Sequence, residues 1–168
     1  MPLKAVAYSQ LARQRALLAA RFTQRYPHYW LVWEPGAFAV PRGNVSASAT
    51  ALPDAKRVAT PARGEPLCFV LEPKADGTPT AIGRAEGNDL VLSDETISRH
   101  HCALLHEPTG WAITCSPEAT SPLRVQGQAL APGHELQLGS SATFQLGNVT
   151  LTFMSAWSLA QRLDAPPG

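Results

Sequence analysis

The chain has 168 residues, of which 45% are hydrophobic and 16% are charged, and its formal net charge is +1. These proportions are typical of a globular chain with room for one ordinary domain and an appendage. The sequence contains no apolar run whose length approaches the roughly 18 residues of a membrane-spanning helix. No apolar block with a small-residue cleavage site marks a secretory signal either, so we expect a cytoplasmic protein.

The charges are unevenly distributed along the chain. Residues 1–66 contain nine Lys and Arg against three acids, and residues 67–168 contain five against ten. The net charges of the two parts are therefore +6 and −5. This split favours a basic arm, a docking contact between the two parts, or a site on the arm for an acidic partner.

The N-terminal segment is predicted to be a helix from Leu3 to about Arg25, because it is rich in strong helix formers and Pro27 ends the pattern. It contains no acid and several arginines. This pattern is compatible with an organelle presequence, an anionic-lipid surface or a nucleic-acid contact. We favour an amphipathic helix that packs on Trp30, Trp33 and the acidic part, and do not expect nucleic-acid or membrane contact.

Two aromatic and apolar runs, 30–33 and 37–40, flank the turn-forming pair Pro35-Gly36. They predict a short hairpin with a small hydrophobic core of its own. The following residues are dominated by Ala, Ser, Thr, Pro and Gly, as in a linker. We therefore expect a helix and hairpin over residues 1–40 and a linker over 41–65.

From Leu67 onward, short apolar runs alternate with turn residues, which is typical of a β-sandwich. The candidate strands are 67–72, 80–82, 89–92, 102–107, 111–115, 123–125, 135–138, 142–146 and 149–154. The predicted fold is mainly β, with about ten to eleven short strands in all. The sandwich is expected over residues 66–157, and a short C-terminal helix, 156–163, ends in a tail within 158–168.

The most informative segment runs from Gly83 to His101. It places Arg84 after a glycine at the end of one predicted strand and Ser98-Arg99 on a loop before another. A guanidinium group and a hydroxyl group that meet on loops can hold a phosphate through charge-assisted, bidentate hydrogen bonds. The segment therefore predicts a phosphate-binding site.

Several spaced motifs resemble the forkhead-associated (FHA) family. They are Gly83-Arg84, Asn88-Asp89-Leu90, Ser98-Arg99-His100-His101 and Trp111, followed by a Gln126–Leu130 hairpin similar to the family's Asn-Gly-x-x-Leu. The resemblance covers roughly residues 66–157. It implies an FHA-like β-sandwich and a non-enzymatic module that binds phosphothreonine peptides.

The resemblance also implies roles for individual residues. Arg84 and Ser98 would contact the phosphate, and Arg99 would add charge or peptide contacts. His101 would brace the loop from inside, and Asn88 would have a structural part in the motif. We expect Gly83 to let the backbone turn so that Arg84 reaches the surface.

One part of the family pattern differs in this chain. Ser121, Pro122 and Leu123 stand where the family has its peptide-gripping Asn-Gly-Thr turn, although Thr120 keeps a hydroxyl just before it. We expect Thr120 and Ser121 to belong to the phosphopeptide site. Losing one or two hydrogen bonds of the turn costs about 1–3 kcal/mol, which would weaken binding roughly 10- to 100-fold.

Two functions follow as hypotheses. The first is a phosphothreonine-binding adaptor in kinase-linked signalling or assembly, whose partners are phosphorylated proteins such as Ser/Thr kinase substrates. The alternative is a degenerate FHA-like scaffold that binds partners independently of phosphate. High Ala, Pro and Arg with little Lys also suggests a bacterial source.

The sequence contains none of the common catalytic motifs for nucleotide, ester or zinc-dependent chemistry. His100 and His101 are adjacent on an extended segment and point to opposite faces, so both cannot ligate one metal. Three separated cysteines without a CxxC pair predict neither a disulfide framework nor a zinc site. We therefore expect no enzyme activity, no cofactor and no metal.

Overall fold

The computed structural model of the chain describes residues 3–34 and 65–165. The strands are β1 (Ala5–Ala7), β2 (Tyr29–Trp33), β3 (Leu67–Leu71), β4 (Thr80–Gly83), β5 (Leu90–Val91), β6 (Cys102–Glu107), β7 (Gly110–Cys115), β8 (Leu123–Val125), β9 (Gln128–Leu130), β10 (Glu135–Gln137), β11 (Ser141–Leu146) and β12 (Val149–Met154). The helices are α1 (Tyr8–Leu18), a 3-10 turn (Ala19–Arg21), α2 (Phe22–Arg25) and α3 (Ala156–Asp164). No helix in this part of the chain is long and apolar enough to cross a membrane.

The strands form two sheets that pack face to face. One has seven strands in the order β1-β3-β2-β12-β11-β8-β9, and the other has five in the order β10-β7-β6-β4-β5. The mainly β sandwich with an N-terminal helix and a short C-terminal helix is thereby confirmed. The described residues contain twelve strands; β1 and β9, which are not among the predicted strands, form the two edges of the larger sheet.

Strand β2 contains the aromatic run that the sequence assigned to a local hairpin. It pairs with β3 on one side and β12 on the other, so that Leu31 lies opposite both Phe69 and Phe153. The expected hairpin partner, residues 37–40, and nearly all of the expected linker lie outside the described residues. Within the described residues, β2 is an interior strand of the sandwich. Its two partner strands, β3 and β12, lie far apart in the sequence.

Alternate residues of β2 face two different cores, as the period-two geometry of a strand requires. Leu31 and Trp33 face the core between the two sheets. Trp30 and Val32 face a second core, which the helices cover. Trp30 and Trp33 thus lie on opposite sides of the sheet, and the helices pack on Trp30 instead of on both tryptophans.

The N-terminal helix begins at Tyr8, five residues later than its composition predicts. The segment before it pairs with β3, so strand pairing overrides the helix propensity of the two alanines in this short segment. The helix is then interrupted at Ala19, whose φ is 46°. The break allows both Leu11 and Phe22 to be buried against the outer face of the larger sheet.

A charge cluster ties the start of the chain to α3. Arg162 donates two hydrogen bonds to the Glu34 carboxylate at 2.5 and 2.8 Å, and Thr152 donates a third at 2.7 Å. The Tyr8 hydroxyl donates to the Arg162 carbonyl at 3.1 Å. These bonds fix α1 and α3 together over the second core.

Candidate functional site

Three loops meet at one end of the sandwich. They follow β4, precede β6 and precede β8. Arg84 N–H donates to the Ser98 carbonyl and Ala85 N–H to the Arg99 carbonyl, both at 3.0 Å, while His101 N–H donates to the Ile82 carbonyl at 2.9 Å. The first two loops are therefore held side by side by backbone hydrogen bonds, which explains why residues fourteen positions apart share one site.

Gly83 is needed because of close packing. A Cβ atom at this position would lie 2.3 Å from the Arg99 carbonyl oxygen and 2.9 Å from Asn88 Nδ2. Gly83 is not among the residues with positive φ in the described chain. The sequence analysis expected glycine here because of a backbone turn. The structure gives a different reason: only glycine, which has no Cβ atom, lets the loop after β4 approach the loop before β6 this closely.

Asn88 is buried behind these loops and uses its whole amide group. Its Nδ2 donates to the carbonyls of Ala85 and Arg99, both at 2.8 Å. Its Oδ1 lies 3.0 Å from Nδ1 of His100. Because Nδ2 is committed to two acceptors, Oδ1 must accept and His100 Nδ1 must donate.

Ser98 joins the second loop to the third. Its Oγ accepts hydrogen bonds from the backbone N–H groups of Thr120 at 2.9 Å and Ser121 at 3.0 Å, and lies 3.4 Å from Thr120 Oγ1. The residue is only 4% exposed. Ser98 therefore organises the loop that carries Thr120, and only a small part of its surface faces outward.

His101 is fully buried beneath the same loop. Its Nδ1 accepts a hydrogen bond from the Ser98 N–H at 3.1 Å. Burial lowers the pKa of His101, and an interaction with the Pro122 backbone partly opposes this shift. The imidazole is therefore neutral at pH 7 and lies between the second and third loops.

An open pocket lies between these loops at the surface. Its lining residues are Arg84, Arg99, His100, Glu118 and Thr120. Nε of Arg84 donates to the Ile97 carbonyl at 3.0 Å, which aims the rest of the guanidinium group while the side chain stays exposed. Two guanidinium groups and a hydroxyl can together bind a tetrahedral dianion.

The structure brings together Arg84, Arg99 and Thr120 in the pocket and places Ser98, Asn88 and His101 behind it. Ser121 is half-buried beside the pocket and contributes its backbone N–H to Ser98. Sequence reasoning missed two lining residues, His100 and Glu118. For Glu118 a usable signal was its position two residues before Thr120 on the same loop.

The residues that the structure describes contain no group of three or more His, Cys, Asp or Glu side chains that could hold an ion. Cys68, Cys102 and Cys115 are buried free thiols. Burial raises the pKa of Cys68 to about 12, so this thiol is protonated and inert at neutral pH.

The sandwich and its loops define an FHA-type domain. The family model described as "inner membrane component of T3SS, cytoplasmic domain" matches residues 72–156, half of the chain. The chain belongs to this family. No significant match is found among curated proteins.

Solved structures of FHA domains share the fold. The FHA domain of an Arabidopsis thaliana hypothetical protein is 19% identical with a TM-score of 0.51, covering 84% of this chain and 90% of its own. An engineered FHA domain with a Myc-pTBD peptide is 11% identical with a TM-score of 0.52, covering 82% and 98%. Mycobacterium tuberculosis EmbR, in complex with a low affinity phosphopeptide, is 25% identical with a TM-score of 0.42. That match covers 46% of this chain and 20% of EmbR.

Proposed function

We propose that this chain is a non-enzymatic adaptor that binds a phosphothreonine segment of another protein. The observation that carries the proposal is the convergence of Arg84, Arg99 and Thr120 on one open pocket. Its partners are phosphorylated proteins, including substrates of Ser/Thr kinases. The process is kinase-linked signalling or assembly.

The geometry of Arg84 supports phosphate recognition. Because its Nε is already bound by the Ile97 carbonyl, the guanidinium plane has a fixed direction before any ligand arrives. Its two terminal nitrogens have no hydrogen-bond partner among the described residues and can bind two phosphate oxygens. Such preorganisation reduces the entropy lost on binding.

Family membership supports the setting of this function. The family is described as the cytoplasmic domain of an inner-membrane component of a type III secretion system. We therefore propose that the chain acts in the cytoplasm of a bacterium, and that its role is in assembly in preference to signalling. A phosphate-dependent contact would make such an assembly step responsive to a kinase.

A phosphate-independent scaffold is the second candidate, and the third loop favours it. Pro122 has no N–H to donate, and the Ser121 side chain is shorter than the asparagine that FHA domains have at this position. The Ser98 hydroxyl already accepts two internal hydrogen bonds. These features reduce the number of groups that can hold a peptide backbone.

A peptide library separates the two candidates. Phosphothreonine peptides and their plain counterparts are measured against the wild type, Arg84→Ala and Arg124→Ala. Arg124 is an exposed arginine of β8 outside the pocket and serves as the matched control. We expect phosphate-dependent binding that falls at least about tenfold in Arg84→Ala and is unchanged in Arg124→Ala. Equal binding of phosphorylated and plain peptides would favour the scaffold.

A further inference from the structure

We infer that Glu118 makes this site select phosphothreonine peptides that carry a lysine or arginine within two positions of the phosphothreonine. The inference rests on the proposed function and adds the class of peptide. It comes from a feature of the pocket that phosphate binding alone does not explain, namely an acid among its lining residues.

The position of Glu118 is set by the loop that carries it. Its N–H donates to Ser116 Oγ at 3.3 Å, and the Ala119 N–H donates to the Ser116 carbonyl at 3.0 Å. Two residues further on, Thr120 is anchored to Ser98 at 2.9 Å. The Glu118 backbone therefore lies between two anchored points, and its side chain lines the pocket on the side of the third loop.

The Glu118 carboxylate is not neutralised within the described residues, where it has neither an ion pair nor a side-chain hydrogen bond. Two other carboxylates, by contrast, have cationic partners: Glu34 accepts from Arg162 at 2.5 Å and Asp89 from Lys74 at 2.7 Å. Glu118 is exposed, so it can meet a ligand without first breaking an internal contact.

The charges around the pocket indicate which charge the peptide residues beside the phosphothreonine should carry. A phosphothreonine carries a charge of about −1.5 to −2 at pH 7. Arg84 and Arg99 attract it, whereas Glu118 repels both the phosphate and any acidic neighbour in the peptide. A lysine or arginine beside the phosphothreonine changes the repulsion into attraction, because it places a cation next to the unpaired carboxylate.

A pair between Glu118 and a basic residue of the peptide would lie at the protein surface, because Glu118 is exposed. Because the pair is exposed to solvent and screened by salt, we expect a moderate preference of about three- to tenfold for basic over neutral neighbours at low salt.

The test uses three phosphothreonine peptides that differ only near the phosphothreonine, with Lys, Ala or Glu at the flanking positions. Each is measured with the full chain as wild type, Glu118→Gln, Glu118→Lys and Glu86→Gln. Glu86 is exposed on the loop after Arg84 but does not line the pocket, so it controls for the change in net charge.

The wild type and Glu86→Gln are expected to rank the peptides Lys over Ala over Glu. Glu118→Gln should bind the Ala and Glu peptides more tightly than the wild type does, so that the three affinities become similar. Glu118→Lys should reverse the order of the three affinities. An unchanged ranking in both Glu118 variants, with phosphate dependence intact, overturns the inference and leaves the proposed function standing. Binding that ignores the phosphate in every peptide overturns both.

Discussion

The buried hydroxyl of Ser98 accepts a hydrogen bond from the backbone N–H of Thr120 at 2.9 Å. The two residues are 22 positions apart. This bond, together with a second from Ser121 N–H, joins the loop that precedes β6 to the loop that precedes β8. The position of the Thr120 hydroxyl in the pocket therefore depends on a side chain that is itself almost entirely covered.

Replacing Ser98 by alanine is expected to lower the free energy of unfolding by about 1–3 kcal/mol, because two backbone N–H groups lose their acceptor. Urea unfolding measures the effect. The control is Ser93→Ala, at an exposed position after β5, which should stay within about 0.5 kcal/mol of the wild type. A Ser98→Ala chain as stable as Ser93→Ala would contradict the anchoring role.

Gly83 and Gly87 form a matched pair for testing the close approach of the loops. A Cβ at Gly83 would lie 2.3 Å from a backbone oxygen, whereas a Cβ at Gly87 would have nothing within 4 Å. Gly83→Ala is expected to cost at least about 1–3 kcal/mol, because backbone must move. Gly87→Ala should be neutral or slightly stabilising. Thermal unfolding measures the stability of both variants. Equal stabilities of Gly83→Ala and Gly87→Ala would contradict the packing argument.

His101 should make stability depend on pH. Burial lowers its pKa in the folded state, so the unfolded chain binds a proton near pH 6.5 while the folded chain stays neutral. The stabilisation is therefore fully present above pH 6.5 and is lost as the pH falls through the lowered, folded-state pKa, with a slope of up to about 1.4 kcal/mol per pH unit.

Urea unfolding between pH 7.5 and 5 measures this slope in the wild type and in His101→Gln. The same series with His134→Gln, at an exposed position, is the control. His101→Gln should be less stable at pH 7 yet show a shallower pH dependence, and His134→Gln should keep the wild-type slope. A slope unaffected by His101→Gln is the outcome that opposes the prediction.

The ion pair of Glu34 and Arg162 should couple the end of β2 to α3. Burial raises the pKa of Glu34, but hydrogen bonds from Arg162 and Thr152 and the charge of Arg162 together bring it below its ordinary value. The stabilisation is accordingly present above about pH 4.3 and is lost as the pH falls through the lowered pKa. In a double-mutant cycle with Glu34→Gln and Arg162→Met, we expect a coupling of about 1–3 kcal/mol at pH 7.

The pair of Arg15 and Asp164 provides the comparison for that cycle. This pair links α1 to α3 at 2.6 Å, but the Asp164 side chain is 53% exposed. Its coupling should be no more than about 0.5 kcal/mol because solvent screens it. Similar coupling free energies for the two pairs would show that the burial of Glu34 does not strengthen its ion pair with Arg162.

Strands in the second part of the chain could be predicted from sequence because their signals are local. The bounds of β6, β8 and β12 agree with the predicted 102–107, 123–125 and 149–154. Each is a short apolar run between turn residues. The hairpin over Gln126–Leu130 was implied by the family resemblance; β8 and β9 pair across Gln126 and Gly127, which both have positive φ.

The places of β1 and β2 were not predictable in this way. Ala5–Ala7 has the composition of a helix and becomes a strand only because β3 offers a partner edge. Tyr29–Trp33 reads as a strand, but its neighbours β3 and β12 lie far along the chain. Pairing between distant segments depends on the packing of the whole domain, which local periodicity does not encode.

The sequence by itself determined the FHA-like sandwich, because spaced turn, strand and loop residues occur in a fixed order, and it predicted a phosphate-binding motif at Arg84 and Ser98. The tertiary structure alone decided which groups face the pocket. It turned the Ser98 hydroxyl toward backbone N–H groups and placed Glu118 among the arginines. The reason is physical: buried polar groups take the partners that satisfy them, and only folding brings those partners together.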